Sequence, residues 1–537
     1  MKVQIWEQVA ARKQKAVLES IPAEWIIPDH LMPPDSQDDV TTFPETSGWF
    51  TAEELAITNS EALELLPKLA SGELKSETVT RAFCKRAAAA HQLTNCLSET
   101  CFERGLETAR QLDAHLARTG LPLGPLHGLP VSLKDNFHLA GLDATVGFVS
   151  HVDCPAAADA ALATLLQTKA GAVFYVKTNV PTAMMMAETV NNVMGRTVNP
   201  LNRRLTPGGS SGGEAALIAF RGSPLGVGTD IGGSLRIPAA CTGLFTLRPS
   251  FGRFPTLGCR SGMPGQEAVQ SVNGPLARTL GDLEAYCRAV VGAEPWHDAD
   301  PRCLPIPWRT PSPPLLGRKL KIAVMWDDGM ALPTPPVTRA LRRTADALAS
   351  AGHELVEWSS KDQAQGLDLL NRMFVADGGL AIREEIAKTG EPWFLPAMAA
   401  YASSQELGTR DLWRLHAERQ AYQQRHLERW NASGIDALLC PTTPYASVEN
   451  GKFRHASSLP GLSLSSPTSP IFIPDPFSPV ATVIGLEVDA SGLDQSCISF
   501  PTGIKVDAAL DKALDMLLYQ PMSEVDKMIQ SECEFPS

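Results

Sequence analysis

The sequence predicts an α/β protein, because segments with a helical pattern alternate with short apolar segments that are typical of buried strands. Residues 158–170 (ADAALATLLQTKA) have the helical pattern, Gly171 supplies an end signal, and AVFYVKT follows as a buried strand. The same step recurs at residues 321–326 (KIAVMW), which predict a strand followed by a helix and the strand HELVEW. Residues 436–441 (DALLCP) predict a further short strand.

The composition is ordinary for a globular protein, and the net charge argues against two classes of partner. Charged residues make up 20% of the 537 residues and hydrophobic residues 44%, which excludes a mainly disordered chain. A net charge of −12 argues against nucleic acid or an anionic membrane as the main partner. No apolar run has the length of a signal-peptide core or a membrane span, so we expect a cytoplasmic protein. The 11 cysteines show no CxxC pair and no Cys/His ligand spacing, so we expect no metal site.

The N-terminal region predicts a helical arm and a connector ahead of the main body. Residues 3–21 have an amphipathic pattern, and the mixed charges of the polar face favour an arm packed on the body over a membrane-binding helix. Residues 27–48 are polar and contain prolines, which is typical of a connector. Thr58 and Glu61 have the spacing of a capping box, and Gly72 is an end signal for the helix that follows.

The strongest chemical signal is the glycine-rich stretch 207–238, which carries Ser210, Ser211 and Ser234. Glycines allow a close approach of the backbone to a ligand, and they leave N–H groups that can point at a developing oxyanion. A phosphate cradle is disfavoured because no GxxxxGK[ST] motif is present. A GxSxG nucleophile elbow is formally possible but needs a histidine downstream, and glycine turns without chemistry are a third alternative. The histidines that follow this stretch are His297, His353, His416, His426 and His455.

Lys134 is a further candidate for the base of the site. Lys134 ends the short apolar segment in PLHGLPVSLKDNF, so its amine could be partly desolvated. Desolvation lowers the pKa of a lysine and allows the neutral amine to act as a base. Taken alone, a single lysine is more often a solvated surface charge.

Together these motifs resemble the amidase signature family. The segments SLKDN, GGSSGGE and DIGGS occur in the family's order, and WEQVAARKQKAVLESIPAEW, HQLTNC and ETVNNVMGRTVNP are most similar to the fungal acetamidase branch. The resemblance implies one large α/β domain over residues 49–537, with a mixed central sheet covered by helices on both faces. The core signature spans residues 122–280, and residues 1–48 form the arm and connector.

The resemblance also implies roles for individual residues. Ser234 is expected to be the nucleophile, Ser210 a proton relay after a cis peptide bond, and Lys134 the base. Backbone N–H groups of one turn are expected to form the oxyanion hole, with Ser211 holding the lysine and an ion pair fixing the turn. Met184 is expected in the substrate pocket, although the methionine run around it could equally fill the core. The residues of the oxyanion turn and its ion pair are Ile231, Gly232, Gly233, Ser234, Asp230 and Arg236.

The implied activity is amide hydrolysis through an acyl-enzyme, with a small-molecule amide as substrate and no cofactor. A serine esterase or carbamate hydrolase is the alternative, and the sequence does not specify the oligomeric state. The C-terminal region departs from the family pattern through a Pro/Ser-rich insertion at about 456–482 and an end that resembles a truncation. The departure predicts an open apolar sheet edge beside a strand around 497–505, and it also allows a catalytically impaired protein.

Overall fold

The computed structural model describes residues 5–308 and 319–453, together with the backbone of two later strands. The fold is α/β with a mixed central sheet, as the sequence predicts. The expected insertion at 456–482 and the expected truncation lie outside the described residues.

The central sheet contains 11 of the described strands in the order β1-β3-β2-β6-β8-β7-β13-β12-β11-β9-β10. Neighbouring strands are parallel in the pairs β2–β3, β2–β6, β11–β9 and β9–β10, and antiparallel elsewhere. A separate short ribbon pairs β4 with β5. The strands are β1 Leu97–Thr100, β2 Pro130–Lys134, β3 Val173–Thr178, β4 Val190–Asn191, β5 Gly195–Arg196, β6 Leu225–Asp230, β7 Phe245–Arg248, β8 Val272–Ala277, β9 Lys321–Val324, β10 Glu354–Glu357, β11 Ala437–Cys440, β12 Gly485–Val488 and β13 Ser496–Ser499.

The helices pack against this sheet and around its edges. The helix after Gly209 and the helix after Ser234 contact each other, and both contact strands of the sheet. The helices are α1 Ile5–Glu19, α2 Phe43–Thr46, α3 Ala52–Asn59, α4 Ala62–Ser71, α5 Ser76–Thr94, α6 Phe102–Thr119, α7 Ala161–Leu165, α8 Gly212–Ala219, α9 Arg236–Thr242, α10 Leu280–Gly292, α11 Pro295–Asp298, α12 Pro335–Ser350, α13 Gln363–Phe374, α14 Leu380–Thr389, α15 Ala399–Ser403 and α16 Thr409–Ser433. No described helix combines the length and the apolar character that crossing a membrane requires.

The middle of the sheet is covered on both faces. Every residue of β2, β3, β6 and β8 is buried, which is typical of strands with packed layers above and below. β2 and β6 are parallel neighbours, so their carboxyl ends lie at the same edge of the sheet. β2 ends at Lys134 and β6 ends at Asp230, and the fold therefore brings two distant parts of the sequence to one site.

The predicted N-terminal arm is a helix that packs on the body. Val17 in α1 is buried, and Lys13 contacts the carboxylates of Glu99 and Asp143. The amphipathic pattern of residues 3–21 places Ile5 near the apolar face with Val17, but this is wrong for Ile5, whose side chain is 72% exposed at the start of the helix.

Several predicted element boundaries are confirmed and one is wrong. Gly171 ends the helical segment in a left-handed conformation, and β3 follows. Gly72 likewise ends α4. The capping box expected from Thr58 and Glu61 does not form, because Thr58 lies inside the preceding helix α3 and its hydroxyl bonds to the backbone of that helix. Glu61 instead begins α4 and forms the capping box with Glu64.

The expected open edge beside the last strand is also corrected. β13 lies within the sheet, where it pairs with β7 on one side and with β12 on the other. Residues 485–488 occupy the neighbouring position, so both backbone edges of β13 are satisfied.

Candidate active site

Lys134 lies at the carboxyl end of β2 and is fully buried. Its Nζ donates to Ser210 Oγ at 2.8 Å and to Thr229 Oγ1 at 2.8 Å, with a longer contact to Thr229 O at 3.3 Å. Burial lowers the pKa of Lys134 to about 7, because removing a charged ammonium from water favours its neutral form. The lysine can therefore exchange a proton with a hydroxyl at neutral pH.

Ser210 lies in a turn that the glycines make possible. The peptide bond between Gly209 and Ser210 is cis, and a Cβ at Gly209 would come within 2.6 Å of Met186 O. Ser211, the next residue, hydrogen-bonds the main chain of Thr229, donating to its O at 3.2 Å and accepting from its N–H at 3.4 Å. The sequence predicts that Ser211 holds Lys134, whereas in the structure this support passes through Thr229.

The turn after β6 is fixed by a buried ion pair. Arg236 Nη2 donates to Asp230 Oδ1 at 2.9 Å and Arg236 Nε donates to Oδ2 at 2.9 Å, a two-point contact. Burial alone would raise the pKa of Asp230, but the charge and hydrogen bonds of Arg236 hold it well below its usual range. Asp230 also accepts from the Leu235 N–H at 3.1 Å, so the carboxylate ties together both ends of the turn that carries Ser234.

One member of the expected oxyanion hole has another partner. The N–H of Gly233 donates to Asp230 Oδ1 at 2.7 Å, so this N–H belongs to the scaffold of the turn. Within the described residues, the N–H groups of Ile231, Gly232 and Ser234 have no hydrogen-bond partner. These three remain able to stabilise a negative oxygen at the turn.

The serines face a small cavity that adjoins a larger one. The small cavity of about 30 Å³ is lined by Ser210, Ser234, Ile231 and Met184, among others. The larger cavity has a volume of about 710 Å³, within the range of ligand sites. The two share their lining at Met184, Thr229, Ser261, Gly262, Met263 and Ser271.

Met184 lies where the expected substrate pocket is, on the wall between the two cavities. It has a left-handed backbone with φ of 59°, as does Ala183 with φ of 58°. Non-glycine residues rarely adopt this conformation, and such strain is found at functional sites. The loop at Gly262 packs so closely against Ala183 that a Cβ there would overlap its carbonyl oxygen.

Two residues of this centre escape sequence reasoning. Thr229 supplies a hydroxyl to Lys134, yet nothing marks it in the sequence except its place before Asp230. Glu214, in the first turn of α8, is fully buried beneath the site, and burial raises its pKa to about 7. The glutamate directly after GGSSGG is an available signal, because a buried carboxyl in a glycine-rich turn is unusual.

The downstream histidines do not assemble around the serines. His297, His353, His416 and His426 line neither of the two cavities, and His426 instead packs between tryptophans. His455 lies outside the described residues. The geometry of the described part therefore favours the lysine over a histidine as the base. Among those residues, no group of three or more His, Cys, Asp or Glu side chains could hold a metal ion.

Comparison with known proteins identifies the family of this chain. The amidase family model matches residues 78–510. The chain is 41% identical over 488 residues to an acetamidase from Emericella nidulans, with 88% of each chain covered. It is 36% identical over 542 residues to an acetamidase from Aspergillus oryzae, covering 98% of this chain and 92% of that one. The chain therefore belongs to the amidase signature family.

Solved structures agree with this assignment. The fold is similar to that of a fatty acid amide hydrolase, with a TM-score of 0.81, 27% identity and 96% of each chain covered. The mixed sheet and its helices are thus those of amidase signature enzymes.

Proposed function

We propose that the protein hydrolyses carboxylic acid amides to the acid and ammonia or an amine, with Ser234, Ser210 and Lys134 as the reacting side chains. The observation that carries this proposal is the 2.8 Å contact between the buried Lys134 Nζ and the Oγ of Ser210, a serine that lines the same cavity as Ser234. A base that is neutral near pH 7 and a hydroxyl beside it are what a serine nucleophile requires.

The mechanism follows from this arrangement. Ser234 Oγ attacks the amide carbonyl and forms a C–O bond while its proton passes through Ser210 to Lys134. The N–H groups of the turn stabilise the tetrahedral oxyanion. The proton then moves back to the amide nitrogen, the C–N bond breaks, and ammonia or an amine leaves. Water attacks the acyl-enzyme by the same relay, which releases the acid and restores the Ser234 hydroxyl.

The substrate class is supported by the relatives. Two of them carry the name acetamidase, which favours linear amides of small carboxylic acids over cyclic ones. The net charge of −12 argues against a nucleic acid or an anionic membrane as partner, which supports a small-molecule substrate, and we include a cytoplasmic location in this proposal. The described residues supply a nucleophile, a relay and a base, so this chemistry requires no cofactor.

The test is ammonia release from a panel of amides by the full-length protein. Acetamide, hexanamide and benzamide are compared with the matched ethyl esters, with and without a chelator. We expect turnover of amides that the chelator does not change. Turnover of the esters alone would contradict the amidase assignment and favour an esterase.

Replacing Thr229 with valine should lower kcat and leave KM nearly unchanged. The substitution keeps the shape of the side chain but removes the oxygen that accepts from Lys134 Nζ at 2.8 Å. A hydrogen bond to a charged group contributes about 1.5–3 kcal/mol, so we expect a loss of about 10- to 100-fold in kcat. Steady-state kinetics with one amide measure kcat and KM for the variant and the wild-type protein.

Thr246→Val is the matched control for this experiment. Thr246 is a buried threonine of β7 whose hydroxyl donates to Pro275 O at 2.7 Å, away from Lys134. Its substitution should lower the melting temperature without a comparable loss in kcat. Equal kcat values for the two variants would show that Thr229 does not support the base.

A further inference from the structure

The larger cavity is lined by an arginine, Arg260, that has no role in the proposed reaction. Arg260 lines this cavity, and it directly precedes Ser261, which lines both the large and the small cavity. Consecutive Cα atoms are 3.8 Å apart, so Arg260 stands one residue from the wall that faces the serines. A long substrate whose amide lies at Ser234 can therefore reach the part of the wall that carries Arg260.

The backbone around Arg260 is held in place by the segment that follows Lys134. The Arg260 N–H donates to Asn136 O at 2.8 Å, and Phe137 and Cys259 form an antiparallel bridge. One nitrogen of the guanidinium, Nη1, donates to Ala144 O at 3.0 Å. This bond orients the planar group and leaves its other N–H groups available to a ligand.

Arg260 has no carboxylate partner within the described residues. The cavity's other arginine, Arg302, pairs with Asp300 at 3.4 Å. The acidic residues that line the cavity form no ion pair with Arg260 in the described part of the chain. Glu385 pairs with Lys388 at 2.6 Å and with His151 at 3.2 Å. The remaining acidic lining residues, Glu267 and Glu384, are exposed to solvent.

Two buried amides in the lining of the larger cavity have an oxygen without a hydrogen-bond donor among the described residues. Asn136 and Asn273 line the same cavity and are 3% and 0% exposed. The Oδ1 atom of each lacks a hydrogen-bond partner in the described part of the chain. Each of these oxygens is an acceptor that requires an N–H or O–H donor, which a carboxylate does not have, so the two amides do not themselves bind an anion.

The size of the larger cavity favours a substrate longer than acetamide. A volume of about 710 Å³ is far more than a two-carbon acyl group occupies, and it lies in the range of sites for larger ligands. A planar guanidinium without a counter-ion matches a carboxylate, which it binds by two parallel hydrogen bonds.

We propose that the preferred substrate is an amide whose acyl chain ends in a carboxylate, and that Arg260 binds this carboxylate. This inference rests on the proposed amide hydrolysis at Ser234. The acyl chain runs from the serines past Met184 and Met263 into the larger cavity, where the anionic end meets the guanidinium.

The experiment compares matched amides of increasing length. The half-amides succinamate, adipamate and suberamate are measured against the neutral butanamide, hexanamide and octanamide, and against the uncharged diamide of adipic acid. For the wild-type protein we expect one half-amide to exceed its neutral counterpart in kcat/KM by about 10-fold or more. Arg260→Met should remove most of that preference, a loss of about 10- to 100-fold, while hexanamide turnover stays within a few-fold.

Two further variants keep the test decisive. Arg302→Met removes a paired arginine from the same lining and should leave the preference intact. Arg260→Lys keeps the charge without the planar fork, so it should retain part of the preference. This variant provides the test if Arg260→Met folds poorly. Equal preferences in wild type and Arg260→Met, an equal loss in Arg302→Met, or equal rates for adipamate and its diamide would each overturn the proposal.

Calorimetric binding to the Ser234→Ala variant separates this inference from the proposed function. Tighter binding of a half-amide than of its neutral counterpart, lost on adding Arg260→Met, supports the role of Arg260 even if turnover is absent. Hexanamide turnover by the wild-type protein without any binding preference for the half-amide overturns only the role of Arg260.

Discussion

Replacing Ser234 with alanine should reduce amide hydrolysis by about 10⁴- to 10⁶-fold, the loss expected when a nucleophile acting as part of a unit is removed. Ser234 lines the small cavity and lies on the turn whose N–H groups at Ile231, Gly232 and Ser234 are free within the described residues. The fold should be unaffected, because the turn is fixed by Asp230 and Arg236 and not by the Ser234 side chain. Ammonia release and the melting temperature measure the two effects.

Ser223→Ala is the matched control for Ser234→Ala. Ser223 is a buried serine whose hydroxyl donates to Leu225 O at 2.7 Å, outside both cavities. It should keep near wild-type turnover. A Ser234→Ala protein that hydrolyses amides at a rate close to wild type would show that the nucleophile lies elsewhere. Labelling by a fluorophosphonate should follow the same pattern, present in the control and absent from Ser234→Ala.

Replacing Lys134 with methionine should lower kcat/KM by about 10³- to 10⁵-fold, because the relay loses its proton acceptor. Methionine fills the buried site without an uncompensated charge, so the protein should remain folded. Adding Ser210→Ala to this variant should cost little more, since both residues serve one proton path. The rates of the single and double variants give the comparison.

The pH profile offers a second measure of the same role. Only the neutral amine of Lys134 can accept the proton, and burial places its pKa at about 7. The wild-type rate should therefore rise about tenfold per pH unit up to about pH 7 and level off above it. The residual rate of Lys134→Met should lack this inflection.

Lys177 provides the control for the lysine experiment. It is another fully buried lysine, on the adjacent strand β3, and burial lowers its pKa as well. Lys177→Met should change stability but leave the inflection near pH 7 in place. An inflection that persists in Lys134→Met, or disappears in Lys177→Met, would assign the titration to another group.

Local motifs determine part of the site, and that part can be predicted from the sequence. Lys134, Ser210 and Ser234 stand in short segments whose glycines and order along the chain are visible without a structure. The contact of Thr229 with Lys134 depends on the register of β2 against β6, which no local pattern fixes. The position of Arg260 depends on a bridge between residues more than a hundred positions apart, so its surroundings also escape local reasoning.

Competing local contacts explain two errors in the expected structure. A capping box needs a free first turn, and Thr58 has the spacing but already belongs to the end of α3. Gly233 belongs to a motif with free N–H groups, yet the carboxylate of Asp230 reaches one of them once the turn has formed. In both cases the residue type fits the predicted role, but a group three or four residues away in the sequence already binds it.

The place of β13 in the sheet bears on the order in which the protein can fold during synthesis. Within the central sheet, β12 and β13 join a group formed by β1, β2, β3, β6, β7 and β8 to a second group formed by β9, β10 and β11. Both groups leave the ribosome before residues 485–499 are made, so each waits with an uncovered edge at β7 or β11. Because uncovered edges pair readily with other chains, the growing polypeptide is most exposed to misassembly just before its last strands arrive. Chaperone dependence should accordingly concentrate in that late interval of translation.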